Sequence, residues 1–218
     1  MIKAIVFDFD GLIMDTETYE YYSFRDLLKE YGVELPLSQY SARIGGQSDS
    51  FDPYTYLQQQ TGIAHDREQL REKRRDRFNL LFREEKALPG VEDCIKSAQR
   101  LGLKIGLASS APKTWVLPFL KKLNLLECFA CLRTNEDTKR VKPDPDLYIQ
   151  VLDYFQVAPD EAIAFEDSPN GALAAIRAQM RCVIVPNKLT RRLEFPKEVH
   201  LRLKSLSDIE FDRLIQNM

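Results

Sequence analysis

Five short runs of this sequence are apolar almost throughout: residues 2–7, 103–108, 129–132, 162–165 and 182–185. Each is too short for an ordinary helix, and none shows the polar alternation of a strand with one wet face. Such runs fit strands covered on both sides, as in a parallel sheet packed between layers of helices. Helical patterns fall among the later runs. Residues 91–101 carry apolar side chains at Val91, Ile95, Ala98 and Leu101 and stop at Gly102. Residues 146–155 follow a Pro-Asp-Pro start, and residues 169–180 open with Ser168 as N-cap and Pro169 in the first turn. The alternation of strand and helix predicts a doubly wound α/β domain.

One segment breaks the alternation. Residues 14–87, between the first and second runs, read as helix and loop only. Phe24, Leu27, Leu28 and Tyr31 share a helix face closed by Gly32, and Leu70, Phe78, Leu81 and Phe82 belong to a second helical stretch. The chain returns to the sheet at Leu88-Pro89-Gly90. The expected division is a core made of residues 1–14 and 88–218 with an inserted α-helical cap over 15–87. The basic residues of 67–86 alternate with Glu68, Glu72, Asp76, Glu84 and Glu85, the pattern of a solvated charged helix.

With 218 residues, 44% of them hydrophobic, the chain can build a core and a smaller satellite. A net charge of −2 leaves no basic field for nucleic acid. No apolar stretch approaches the roughly 20 residues that span a bilayer, and the N-terminus lacks the pattern of a signal peptide. The expectation is a cytoplasmic protein, monomeric for want of a coiled-coil seam, with no nucleic-acid or membrane partner. Cys94 and Cys182 stand alone, and Cys128 and Cys131 form one C-x-x-C inside an apolar stretch, far in sequence from His65 and His200. The four read as buried thiols rather than as a metal or redox site.

The chemistry gathers at the ends of the apolar runs. The first ends in Phe7-Asp8-Phe9-Asp10-Gly11, and extended backbone projects carboxylates at this spacing to the same side. Alone, such a pair is as readily an acidic turn as a site. The fourth run ends in Glu166-Asp167-Ser168, and a parallel sheet delivers its strand ends to one edge, where ligands bind. Four carboxylates meeting there are costly without a cation. A hard divalent ion with oxygen ligands, Mg²⁺ above all, answers that need. Ser109 and Ser110 close the second run, and Lys142 precedes the helix leading to the fourth. Together these residues form a phosphoryl-transfer kit. One carboxylate attacks phosphorus, a second moves protons, and lysine, metal and hydroxyl bind the phosphoryl oxygens.

These motifs resemble the haloacid dehalogenase superfamily, in the subgroup around β-phosphoglucomutase and its phosphatase relatives. The resemblance spans essentially the whole chain: Asp8-Phe9-Asp10-Gly11 with Asp15-Thr16-Glu17, the small helical cap, Pro89-Gly90-Val91, Ser109, Lys142-Pro143-Asp144 and Glu166-Asp167-Ser168-Pro169-Asn170-Gly171. It implies a Rossmann-like core bearing an inserted cap. It makes Asp8 the nucleophile and a metal ligand, and Asp10 the acid/base that also offers its main-chain carbonyl to the metal. Ser109 and the Ser110 amide would bind a phosphoryl oxygen, and Lys142 would bridge nucleophile and phosphoryl group. Asp167 would hold Mg²⁺, with Glu166 as ligand or as partner through water, and Gly11 would supply the turn toward the cap.

Within the superfamily, dehalogenases lack the second acid that Asp10 supplies here, and phosphonatases use a cap lysine with no clear counterpart. The mutase pattern has a histidine where this chain has Glu20, and an arginine in the loop that reads Ile44-Gly45-Gly46-Gln47-Ser48-Asp49. Arg43 lies just before that loop. The expected activity is therefore a Mg²⁺-dependent phosphatase for a small phosphorylated metabolite, a sugar phosphate or similar. The alternative is a β-phosphoglucomutase-type mutase, and a weaker one is a silent phospho-ligand-binding module. Glu20, Arg43, Gly45, Gly46 and Gln47 are the candidate cap residues for specificity, while Tyr19, Tyr22 and Phe24 read as cap packing.

Overall fold

The computed structural model describes residues 1–45, 51–83 and 86–218; Gly46 and Gln47 lie outside the described residues. Six parallel strands form one sheet: β1 (Ala4–Phe7), β2 (Lys104–Ala108), β3 (Cys131–Arg133), β4 (Ala162–Glu166), β5 (Arg181–Ile184) and β6 (Leu201–Arg202). Their order is β3-β2-β1-β4-β5-β6, so the winding reverses between β1 and β4. Val6 of β1 sits between Gly106 and Ala164 in register. Five strands match the five apolar runs. The sixth, only Leu201–Arg202, is too short to leave a pattern.

The described helices are, in chain order, α1 (Thr16–Glu30), α2 (Leu37–Tyr40), α3 (Pro53–Thr61), α4 (Arg67–Leu81), α5 (Val91–Arg100), α6 (Lys113–Lys122), α7 (Asp146–Phe155), α8 (Pro169–Arg177) and α9 (Phe211–Asn217). One sheet face presents Ile5 and Phe7 to Val91 and Ile95 of α5, Val116 and Leu120 of α6, and Phe211 of α9. The other presents Ala4 and Val6 to Leu147, Val151 and Phe155 of α7 and to the alanines of α8. This double covering is why β1 and β4 are buried at every position. Helix α6 lacks a clean sequence signature because Pro118 lies inside it. Helix α8 stops at Arg177, short of the expected 180, where Gln179 turns left-handed.

Between β1 and β2 the described chain is helical. Phe24, Leu27, Leu28, Tyr40, Leu57 and Leu70 belong to a further hydrophobic cluster, which Leu189 joins from beyond β5. Phe78 and Phe82 pack outside this cluster, against the sheet-side core. Phe78 lies 5.3 Å from Trp115 and Phe82 5.3 Å from Phe119, both on α6. Leu81, on the same helix as Phe78, is 37% exposed. The four cysteines are free, and Cys128 is only half-buried. Among the described residues no helix is long and apolar enough to cross a membrane.

Candidate active site

Asp8 extends β1 by one bond, its N–H donating to the Phe165 carbonyl at 3.0 Å. That places its carboxylate at the edge where the winding reverses, the position at which open α/β sheets bind ligands. Lys142 comes to it from the loop before α7 and is 1% exposed. Its Nζ donates to Asp8 Oδ1 at 2.5 Å, to Glu166 Oε1 at 2.7 Å and to the Ala108 carbonyl at 2.7 Å. All three ammonium protons thus have acceptors. The Tyr148 hydroxyl of α7 also donates to Glu166 Oε1. Burial opposes the lysine's charge, but Asp8 and Glu166 outweigh it and its pKa is raised. Asp8 itself is pushed up to about 8, chiefly by burial, with Lys142 pulling the other way.

Asp10 is held differently. Its Oδ1 accepts from Thr16 Oγ1 at 2.6 Å and from Trp115 Nε1 at 2.8 Å. Burial raises its pKa, and these two hydrogen bonds restrain the rise. Gly11 then turns the chain at φ +82°, and a Cβ there would lie 2.4 Å from Asp167 Oδ2 and 2.5 Å from Asn187 Nδ2. Only glycine satisfies both the backbone and the space.

Asp8, Glu166 and Asp167 each bring a carboxylate oxygen within 4.8 Å of the others. Asp167 Oδ2 accepts from Asn187 Nδ2 at 2.7 Å, while its Oδ1 is buried without a partner. Glu17 lies close by, accepting from the Gly45 N–H at 3.1 Å and from Asn187 Nδ2 at 3.4 Å. Asp167 and Glu17 are both raised well above the usual carboxylate range, first by burial and then by neighbouring acids. One buried lysine among five acids, with a buried carboxylate oxygen left over, is a donor set that fits a hard divalent cation. Asp10 contributes no carboxylate to the close trio.

In front of these groups lies a cavity of about 470 Å³ whose lining includes Asp8, Asp10, Ser109 and Ser110. Ser109 is buried and its Oγ accepts from the Ala111 N–H at 3.0 Å, which leaves the hydroxyl hydrogen to donate. The helical insert reaches the same cavity. Ser110 Oγ donates to the Gly45 carbonyl at 3.5 Å, and Asn170 Nδ2 to the Ile44 carbonyl at 2.9 Å. Glu20 also lines the cavity but is engaged, accepting from Tyr40 OH at 3.1 Å and facing Arg43 at 3.6 Å and Arg74 at 3.8 Å. Phe24 is buried within the insert, and Tyr19 packs on Phe82 at 5.5 Å, as read from sequence.

The structure therefore brings together Asp8, Asp10, Ser109, Lys142, Glu166 and Asp167, and sets Ser110, Glu20, Arg43 and Gly45 around the same cavity. Sequence reasoning assigned no role to Thr16, Glu17, Arg74, Trp115, Tyr148 or Asn187. Asn187 carried a usable signal, since it stands just past the fifth apolar run and hence at the same sheet edge. Trp115, the sole tryptophan, carried none that pointed to Asp10.

A family profile described as haloacid dehalogenase-like hydrolase matches residues 5–185. "Putative phosphatase YhcW" of Bacillus subtilis is 45% identical over 218 residues, covering 100% of this chain and 98% of that protein. The "Phosphorylated carbohydrates phosphatase" of Thermotoga maritima is 28% identical over 176 residues, or 80% of each chain. Among solved structures, CbbY from Rhodobacter sphaeroides in complex with phosphate superposes with a TM-score of 0.75 at 25% identity, covering 96% of this chain and 97% of that one. The matched span runs through β1 to the end of β5, the strands that carry the buried carboxylates and their neighbours, and the chain belongs to the haloacid dehalogenase-like hydrolase family.

Proposed function

We propose that this chain is a Mg²⁺-dependent phosphatase that hydrolyses a small phosphorylated metabolite, a sugar phosphate or similar, through an aspartyl phosphate on Asp8. The observation that carries the reading is the Asp8–Lys142 pair at 2.5 Å, set beside a second acid, Asp10, that lines the same cavity. The names of YhcW and of the Thermotoga maritima relative point to the same reaction class.

An Asp8 oxygen attacks phosphorus as the bond from phosphorus to the leaving oxygen breaks. Asp10, whose raised pKa favours its acid form, gives that oxygen a proton. It then takes a proton from the water that attacks the aspartyl phosphate, and phosphate and free Asp8 result. Lys142 stays on Asp8 throughout and draws charge from the transferring group. Ser109 and the Ser110 amide bind its oxygens. Mg²⁺ would be held by Asp8, Asp167 and Glu166 with the Asp10 carbonyl, and when bound supplies positive charge against the phosphoryl oxygens. Residues 15–87 act as a cap over the cavity, with linkers near 12–16 and 86–89, and carry the choice of leaving group through Glu20, Arg43 and the loop at Gly45.

One observation favours a second reading. Arg43 and Arg74 both line the cavity, 3.6 and 3.8 Å from Glu20, a setting that suits a second phosphate held for a mutase. The deciding experiment is phosphate release from a panel of sugar phosphates, nucleotides, phosphoglycolate and glycerol phosphate in Mg²⁺, with Asp8→Asn as control. Asp8-dependent release that EDTA silences and Mg²⁺ restores is the expected result. Conversion of β-glucose 1-phosphate to glucose 6-phosphate without release would replace it with the mutase. Retained release by Asp8→Asn would remove the mechanism.

A further inference from the structure

A separate cavity of about 580 Å³ opens where β5 and β6 end. Its size falls in the range of roughly 300–1,000 Å³ common to small-molecule sites. Its floor is apolar, with Leu12, Leu88, Val185 and Leu203. Its rim is basic: Lys188, Arg191, Arg202 and Lys204 line it, against Asp15 as the one acid among the described lining residues. None of the four cations pairs with a carboxylate among the described residues. Arg202 is oriented in advance, with Nη2 donating to the Arg191 carbonyl at 2.9 Å and its guanidinium 5.1 Å from the Phe195 ring centroid.

Four cations without a carboxylate partner among the described residues, set around one apolar hollow, repel each other and attract an anion with an apolar body. The cavity shares Gly11 and Asn187 with the surroundings of the catalytic site, but neither Asp8 nor Asp10 faces it. Its wall includes both stretches that join the helical insert to the sheet, which are bonded to each other by the Leu88 N–H on the Ile13 carbonyl at 2.8 Å. We propose that this cavity is a second binding site, for a small organic anion whose apolar or sugar-like body lies on the floor and whose phosphate, sulfonate or carboxylate meets the basic rim. The occupant rests against the linkers, away from the reacting atoms, and is bound without being hydrolysed.

Naphthalene-1-sulfonate is a suitable probe, having a rigid apolar body, one permanent negative charge and no ester to cleave. It is titrated into the ¹⁵N-labelled full chain with Mg²⁺ at low salt. Saturable shifts of the backbone amides of residues 187–191 and 201–206 are expected. Affinity should fall roughly three- to tenfold in Arg202→Ala/Lys204→Ala, as for the loss of two exposed charge contacts. The exposed pair Lys188→Ala/Arg191→Ala should weaken binding similarly and provides an independent check. Shifts centred on residues 108–111 and 142, no saturable shift in either rim segment, or unchanged affinity in both variants would overturn the site. The readout is independent of turnover, so it stands or falls apart from the phosphatase reading.

Discussion

Lys142 is the most demanding single residue of the molecule. Its ammonium is buried, and its three acceptors come from β1, β2 and β4. Removing it leaves Asp8 and Glu166 buried without their counter-charge. Lys142→Ala is therefore expected to destabilise the metal-free protein by about 3–5 kcal/mol, measured by urea unfolding. A loss under 1 kcal/mol would mean that water already screens the pair. Trp115 offers a finer probe. Its indole N–H favours the ionised form of Asp10, so Trp115→Phe raises the Asp10 pKa further. The alkaline limb of the pH profile of kcat/KM should then move to higher pH, and an unmoved limb would show that Asp10 is not the proton donor. Asp8, Asp10 and Lys142 could be singled out in the sequence because each stands beside an element end. The bond from Trp115 to Asp10 could not, since it depends on how helix α6 is rotated about its own axis.

At the scale of elements, the first turn of α1 belongs to the site as much as any strand end. Asp15 caps it, accepting from the Thr18 N–H at 3.3 Å. Thr16 then reaches back to Asp10 and Glu17 across to Gly45. Through Gly45 the insert touches the core so closely that a Cβ there would fall 2.0 Å from Ser168 Oγ, at a φ of +68°. Gly45→Ala adds left-handed strain of about 1–2 kcal/mol to that contact, enough to lower kcat/KM by roughly tenfold. Steady-state kinetics with the preferred substrate test this, and unchanged values would show that the contact is not needed in turnover. The helical nature of the insert was plain from its lack of strand-like runs. The descent of Phe78 and Phe82 onto α6 was not, because periodicity identifies an apolar face without saying which neighbour covers it.

The whole molecule carries its acidic centre as a stability cost in the absence of a cation. Asp8 titrates near 8 in the folded chain against 3.8 in the unfolded one, and Asp167 and Glu17 are raised in the same sense. Between those limits the folded state binds more protons than the unfolded state, so its stability falls as pH rises. The contribution is fully present below about pH 4 and lost as pH passes through about 8. The metal-free protein should thus melt at lower temperature at pH 8 than at pH 5.5. Mg²⁺ should raise the melting temperature more at pH 8, and a concentration a hundredfold above its Kd contributes about 2.7 kcal/mol. Indifference to Mg²⁺ at pH 8 would remove the cation from the account. By itself the sequence determined the parallel sheet, the helical character of the described residues between β1 and β2, and the strand-end acids, because burial and periodicity are properties of a few neighbouring residues. Only the tertiary structure decided that Tyr148, Trp115 and Asn187 each take a partner in the acidic centre, and that Glu20 lies between two arginines. These contacts join segments far apart in the chain, and their geometry follows from how whole elements pack rather than from any local pattern.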